Sequence, residues 1–358
     1  MLPLAAGAAP DSSDAADAAT RIRREIDRLQ QSLKDRPIVG EDQAAVADAA
    51  GDALRVSVQA LDAHRLYLAL ENLGRASDLI AGARMASEKA EAVASGLPAF
   101  ESLWEETSRA LATNGPDDGA DSWRRSRAAV RALSEVAAGR VQPLLEGAQG
   151  FAVATQPADG LFYLGEAGGQ SAFAAFCASL EFPGKPAPFP LRSMLPEMMR
   201  LQEKTQAAFK PPRSIDLHPR FIALNSSLKL GLELDATQAY AGSTYEYLEA
   251  VRHYGMLDAP PLDAVGQAKV VKDLAAAHAR LDASKRDESL AGLFLERAGS
   301  QVAHADGSTP SADEWRSARV ILDQVLPAYF AARAPASAPG RTASKRSIRM
   351  TLVRWPYT

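Results

Sequence analysis

The chain has 358 residues, 47% of them apolar and 23% charged, with 40 Lys plus Arg against 44 Asp plus Glu, five His and a single Cys. That length leaves room for about two domains and a sizeable core, and the composition is that of a globular protein. A net charge of -4 argues against a general nucleic-acid binder, no apolar run reaches the roughly 18 residues of a membrane-spanning helix, and one cysteine excludes an internal disulfide framework or a thiolate zinc cluster.

Residues 1–11 open on a run of small and apolar side chains. Ala6-Gly7-Ala8 fits the small-x-small pattern ahead of a signal-peptidase cut, although no basic residue precedes it. Two readings stay open. One is the remnant of a secretory signal, with a periplasmic or secreted protein behind it. The other is an Ala-rich terminus on a cytoplasmic protein, and Cys177 suits either compartment.

Over residues 12–182 the apolar spacing stays close to 3.6, which predicts an N-terminal helical region. Ile22, Ile26, Leu29 and Leu33 form one stripe opposite a face of Arg, Glu and Asp, and Pro37 ends that helix. The stripe is too short for an isolated coiled coil, so it needs a partner surface, expected to be the protein's own body. Further helices are expected at about 41–72, 75–95, 98–112, 121–138 and 140–153. The block 157–182 reads as a helical hairpin that turns at Gly168-Gly169, because glycine tolerates the backbone that ends a helix.

Residues 183–190 hold four prolines and form either a linker or a long loop. A C-terminal helical region follows over 191–332, with helices at about 191–209, 219–234, 237–254, 263–282, 286–304 and 312–332. From residue 333 a basic Pro/Ala/Ser-rich tail begins. Within it, 346–355 alternates as a strand does, with Ile348, Met350 and Leu352 on one face and Trp355 at the end. A lone strand leaves its backbone unpaired, so these four residues are candidates for docking a partner or for self-association.

The segment from Tyr240 to Ala250 has the small-x-x-x-aromatic pattern through Ala241 and Tyr245, and Ala172 to Phe176 shows it again. Both resemble the second helix of tetratricopeptide-like repeats, whose first-helix Trp and Leu-Gly positions have no counterpart here. The resemblance implies a helical-repeat protein that binds protein or peptide partners.

Chemistry-bearing patterns are sparse. The histidines fall on five separate elements without a paired-ligand spacing, so no metal is assigned. Ser226-x-x-Lys229 matches the Ser-x-x-Lys spacing of penicillin-recognising enzymes, but it lacks their two partner motifs and reads as a surface helix. Cys177 lies in an apolar run and reads as a core thiol. No catalytic residue and no cofactor are implied.

Arg124, Arg127 and Arg131 share one helix face and are candidates for clamping an anion; the alternative is a solvated charged face. Tyr240, Tyr247 and Tyr254 recur every seven residues and form either a packing stripe or a peptide groove. Glu246, Glu249 and His253 are expected on the opposite, wetter side of the same helix.

The sequence therefore predicts an all-α protein, a multi-helix array or bundle of helical hairpins with a flexible tail. The function expected is that of a non-enzymatic interaction or scaffold protein, exported to the cell envelope on the signal-remnant reading. The alternatives are a helical enzyme whose site is assembled from distant helices, or a binder of a small apolar ligand between helices.

Overall fold

The computed structural model describes residues 14–113, 126–182, 192–211, 215–304 and 307–332. The N-terminal residues 1–11, the Pro-rich segment 183–190, Arg124 and the whole tail with Ile348, Met350, Leu352 and Trp355 lie outside the described residues. The described residues form an all-α structure without a strand. The helices are α1 (Asp14–Asp35), α2 (Glu41–Asp62), α3 (Leu66–Lys89), α4 (Leu97–Thr113), α5 (Ala128–Ala154), α6 (Asp159–Ala178) and α7 (Leu195–Ala208). They continue with α8 (His218–Ala236), α9 (Tyr240–Asp258), α10 (Ala264–Asp282), α11 (Ser289–Val302), α12 (Ala312–Val320) and α13 (Leu326–Ala332).

Spatial order departs from chain order. The helices pack in the succession α2, α3, α6, α5, α9, α8, with α7 against α8 and α9. α1 lies on α2 and α3, while α4 covers α5 and α6. α11 packs on α3, α5 and α12 and so closes the inner side of the layer. One apolar cluster runs from Ala18 on α1 to Ala332 on α13. Ile22 and Ile26 on α1 are fully buried in it, so the short stripe does find its partner in the body of the protein.

Three element boundaries differ from the sequence expectation. α2 stops at Asp62, and α3 begins at Leu66 after His64 takes the left-handed conformation (φ 58°). The expected break near residue 73 is helical interior, with Gly74 beneath the ring of Phe173. Apolar residues continue through the true turn, so periodicity hides it. The start of α3 is capped from far away, because Glu296 on α11 accepts the Leu68 amide at 2.7 Å.

The expected break near residue 139 is likewise absent, and α5 runs unbroken past Pro143. Gly139 gives room to Leu234 of α8, whose Cδ2 would lie 2.7 Å from a Cβ. The first amides of α5 are satisfied by a distant loop. Ala128 donates to Asp287 at 2.7 Å and Ala129 to Ser289 Oγ at 3.0 Å.

The third correction concerns the glycines of α6. Gly168-Gly169 makes no turn, and α6 is one helix from Asp159 to Ala178. Its glycines serve a close crossing with α3. A Cβ on Gly165 would stand 2.4 Å from the Ala81 carbonyl and 2.8 Å from Gly82 Cα. One on Gly169 would meet Asp78 Cα at 2.9 Å. Gly168 points into open space. Gly165→Ala should therefore destabilise the protein by about 2 kcal/mol, the scale of an overpacked core site. Gly168→Ala should stabilise it by about 0.5–1 kcal/mol, as alanine does inside a helix. Chemical denaturation of the two variants beside the parent checks the pair.

Candidate functional site

Polar side chains from α3, α5, α6, α9 and α11 meet in the interior of the layer. On α3, Glu71 and Asp78 are two turns apart, about 10 Å along the axis, and point the same way. α9 supplies Tyr245, Glu246 and Glu249, all buried, and α6 supplies Glu166 and Gln170 one turn apart. Arg297 enters at the Glu71 end from α11, and Arg140 at the Asp78 end from α5.

The Arg297 end is closed by hydrogen bonds. Its guanidinium bridges Glu71 and Glu249 and donates to the Tyr245 hydroxyl at 3.1 Å. Tyr245 in turn donates to Glu71 at 2.6 Å. Arg252 adds a second counter-charge to Glu249 by donating to its Oε2 at 3.0 and 2.8 Å. Burial acts against ionising Glu249, yet Arg297 and Arg252 together hold its carboxyl down to about 2. Burial, reinforced by Arg252, lowers His253 to about 4, so its ring is neutral and Nε2 can accept from Arg252 at 3.2 Å.

The Arg140 end is different. The Arg140 side chain is 47% exposed and lies over Glu246, which is 1% exposed, with a 3.2 Å hydrogen bond between them. Glu246 is pushed up to about 6 by burial, against the pull of Arg140 and a hydrogen bond from Ser227. Burial pushes Glu166 up to about 7, with Arg140 opposing. Asp78 is held well above the usual carboxylate range by burial, and the nearby Glu166 adds to the effect while Arg140 opposes it. Gln170 donates to Asp78 Oδ2 at 2.5 Å, but Oδ1 is sealed from solvent and has no hydrogen-bond partner. Three carboxyl groups share the guanidinium of Arg140. Such an arrangement can bind a charged group or hold a proton near neutral pH.

The candidates read from sequence fall elsewhere. Tyr240, Tyr247 and Tyr254 are half-buried, and Tyr247 and Tyr254 pack against the main core. The expectation that Glu246, Glu249 and His253 form the wet side of that helix is overturned. α9 is enclosed by α5, α8 and the α11–α12 layer, so its charged face turns inward onto arginines of other helices. Arg131 is paired with Glu135, whose other oxygen caps α9 through the Gly242 amide at 2.8 Å. Arg127 precedes the first turn of α5. Ser226 and Lys229 are exposed on α8, and Cys177 is fully buried.

Sequence reasoning missed Asp78, Arg140, Glu166 and Arg297 because their partners lie up to 226 residues away. A faint signal existed in α9, where apolar residues occur on every side and leave no continuous wet stripe. Among the described residues, no group of three or more His, Cys, Asp or Glu side chains is arranged to hold a metal ion. A separate cavity of about 170 Å³ lies between α4 and α5, lined by Trp104, Ser108, Leu111 and Val141. No family model matches the chain, and neither a curated protein nor a solved structure matches it.

Two measurements follow from the contrast between the ends. Arg297→Met removes the guanidinium shared by Glu71 and Glu249, leaving Glu249 with Arg252 alone, and should cost about 3–5 kcal/mol in urea denaturation. Glu166 titrates higher in the fold than in the unfolded chain, so the native state binds the extra proton between pH 4.5 and about 7. Its contribution is favourable at the acid end and is lost as pH rises through that window. Glu166→Gln should match the parent near pH 4.5 and exceed it at pH 8 by about 1–2 kcal/mol, discounted for partial exposure. Thermal melts of both proteins across pH 4.5–8 check the divergence.

Proposed function

We propose that this chain is a non-enzymatic helical interaction protein that meets a protein or peptide partner at the edge formed by α7 and α8. One observation supports the reading. Leu195 and Met199, one turn apart on α7, and Ile215 and Ile222, at the entry and first turn of α8, leave large apolar side chains in solvent. Of the eight large apolar residues found exposed among the described residues, these are four. Single exposed apolar residues are ordinary; these four run along the α7–α8 pair, from Leu195 beside the Asp235 end of α8 to Ile215 and Ile222 at its start, an extended edge suited to a partner segment.

A second reading, a helical enzyme with a site assembled from distant helices, draws on a different observation. Glu166 is poised to exchange a proton near neutral pH beside the Arg140 guanidinium. Among the described residues no arrangement around Glu166 specifies a reaction, so binding is the more economical account of the same residues.

The interaction reading is tested with the pair Leu195→Lys and Met199→Lys on one chain. Surface changes of this kind alter stability by about 0.5 kcal/mol or less, so the melting temperature should hold. Cross-linking mass spectrometry in the native host should show cross-links from the α7–α8 edge in the parent that vanish in the variant. Unchanged cross-links, or none from this edge in the parent, would overturn the assignment.

A further inference from the structure

We propose that the α7–α8 edge is occupied, in the free chain, by the chain's own C-terminal segment, residues 346–355. The inference rests on the reading of that edge as a peptide-binding surface, and it names the first occupant.

The argument begins where the described residues end. α13 runs to Ala332, whose carbonyl accepts from Arg192 Nε at 2.9 Å. Arg192 also donates to Glu197, in the first turn of α7, at 2.7 Å. Residue 333 therefore departs from the fold beside the start of α7. Leu195, the first exposed apolar side chain of the edge, stands three positions after Arg192.

The sequence beyond that point divides in two. Residues 333–347 carry no large apolar side chain, while 348–355 hold Ile348, Met350, Leu352, Val353 and Trp355. Apolar side chains of that size gain from any surface that removes them from water. The stretch before them is a tether, and by coil statistics its length corresponds to about 20 Å. α7, with 14 residues, is about 21 Å long. The segment therefore reaches the whole edge without being stretched.

Spacing fits as well as reach. Leu195 and Met199 are four residues apart on a helix, about 6 Å along its axis. Alternate residues of an extended segment are about 6.6 Å apart, so Ile348 and Met350 can lie on Leu195 and Met199 in turn. From Ile348 to Trp355 an extended chain covers about 23 Å, which carries the tryptophan to Ile222 at the far end. Arg349 and Thr351 then face water.

Tethering favours this occupant over a foreign one. A short linker holds the segment near the edge at a local concentration in the millimolar range. An intrinsic affinity of about 100 μM then gives occupancy near 90%. Any other partner gains the edge by displacing the segment.

The test places one cysteine on each side, Met199→Cys and Met350→Cys, in the full chain. Cys177 is fully buried and does not compete. Under mild oxidation at about 1 μM protein, a disulfide should close within the monomer. The control keeps both cysteines and the same tether but adds Leu352→Ser and Trp355→Ser, and it should close about tenfold more slowly. A labelled peptide of residues 346–358 gives a second reading. It should bind the full chain carrying Leu352→Ser and Trp355→Ser about tenfold more tightly than it binds the parent, whose edge is filled.

Equal closing rates with and without the two serines, or equal peptide binding by both chains, would overturn the proposal. Disulfide-linked dimers in place of closed monomers would give the edge to a second copy and overturn it too. These readings use purified protein, so they fail separately from the host cross-links. Cross-links that persist while the segment fails to dock would leave the edge to a foreign partner.

Discussion

The guanidinium of Arg297 stands between α3, α9 and α11 with carboxylates on two sides and a tyrosine hydroxyl on the third. Arginine cannot shed its charge inside a protein, so its surroundings must supply the compensation. Glu71 fixes the height of α3 against α11, and Glu249 fixes that of α9. Many core positions of these helices are alanine, including Ala69, Ala76, Ala241, Ala250, Ala291 and Ala298. Small side chains make shallow ridges, and shallow ridges define helix register weakly. A directional charge network supplies the register that such packing leaves loose. Tyr245 joins the two kinds of contact, because its ring lies 5.8 Å from Phe294 while its hydroxyl belongs to the network.

The crossing of α3 and α6 sets up the other end of the seam. Gly82 and Gly165 face each other so closely that a Cβ on Gly165 would stand 2.8 Å from Gly82 Cα, and Gly169 lies directly on Asp78. Close approach shortens the separation of side chains that flank the crossing. Asp78 and Gln170 reach each other across it, and Glu166 packs over Gly82. Two acidic groups thus share a space in which the nearest cation is Arg140. The glycines and the raised carboxyl groups are parts of one arrangement.

Much of the helical framework was legible in the sequence because burial follows period 3.6. The α1 stripe and the helices after residue 190 stand close to where the spacing puts them, and Pro37 does end the first helix. Failure came wherever a boundary is decided by something outside its own segment. The turn at His64 is capped by Glu296, and α5 is capped by Asp287 and Ser289. The Gly168-Gly169 pair looked like a turn because local rules give glycine no other use inside a helix. Its value lies in the neighbour it admits. The candidate site was illegible for the same reason, since apart from the consecutive α5 and α6 its helices are far apart in the chain.

The two ends of the seam respond to protons in opposite ways. Glu249 keeps its charge through the ordinary pH range, and His253, the side-chain type that normally titrates near neutrality, is held neutral down to about 4. Glu246 and Glu166 titrate at about 6 and 7 instead. Each is raised by burial, so each binds its proton more tightly in the fold than in the unfolded chain, and each destabilises the native state as it ionises. Replacing buried charges with well-packed apolar groups is often neutral or stabilising, which makes stability a poor reason for Asp78, Glu166 and Glu246 to stand together. The Arg297 end needs no such separate reason, because every charge there is answered. The local imbalance at the Arg140 end is what sets it apart from the answered network around Arg297.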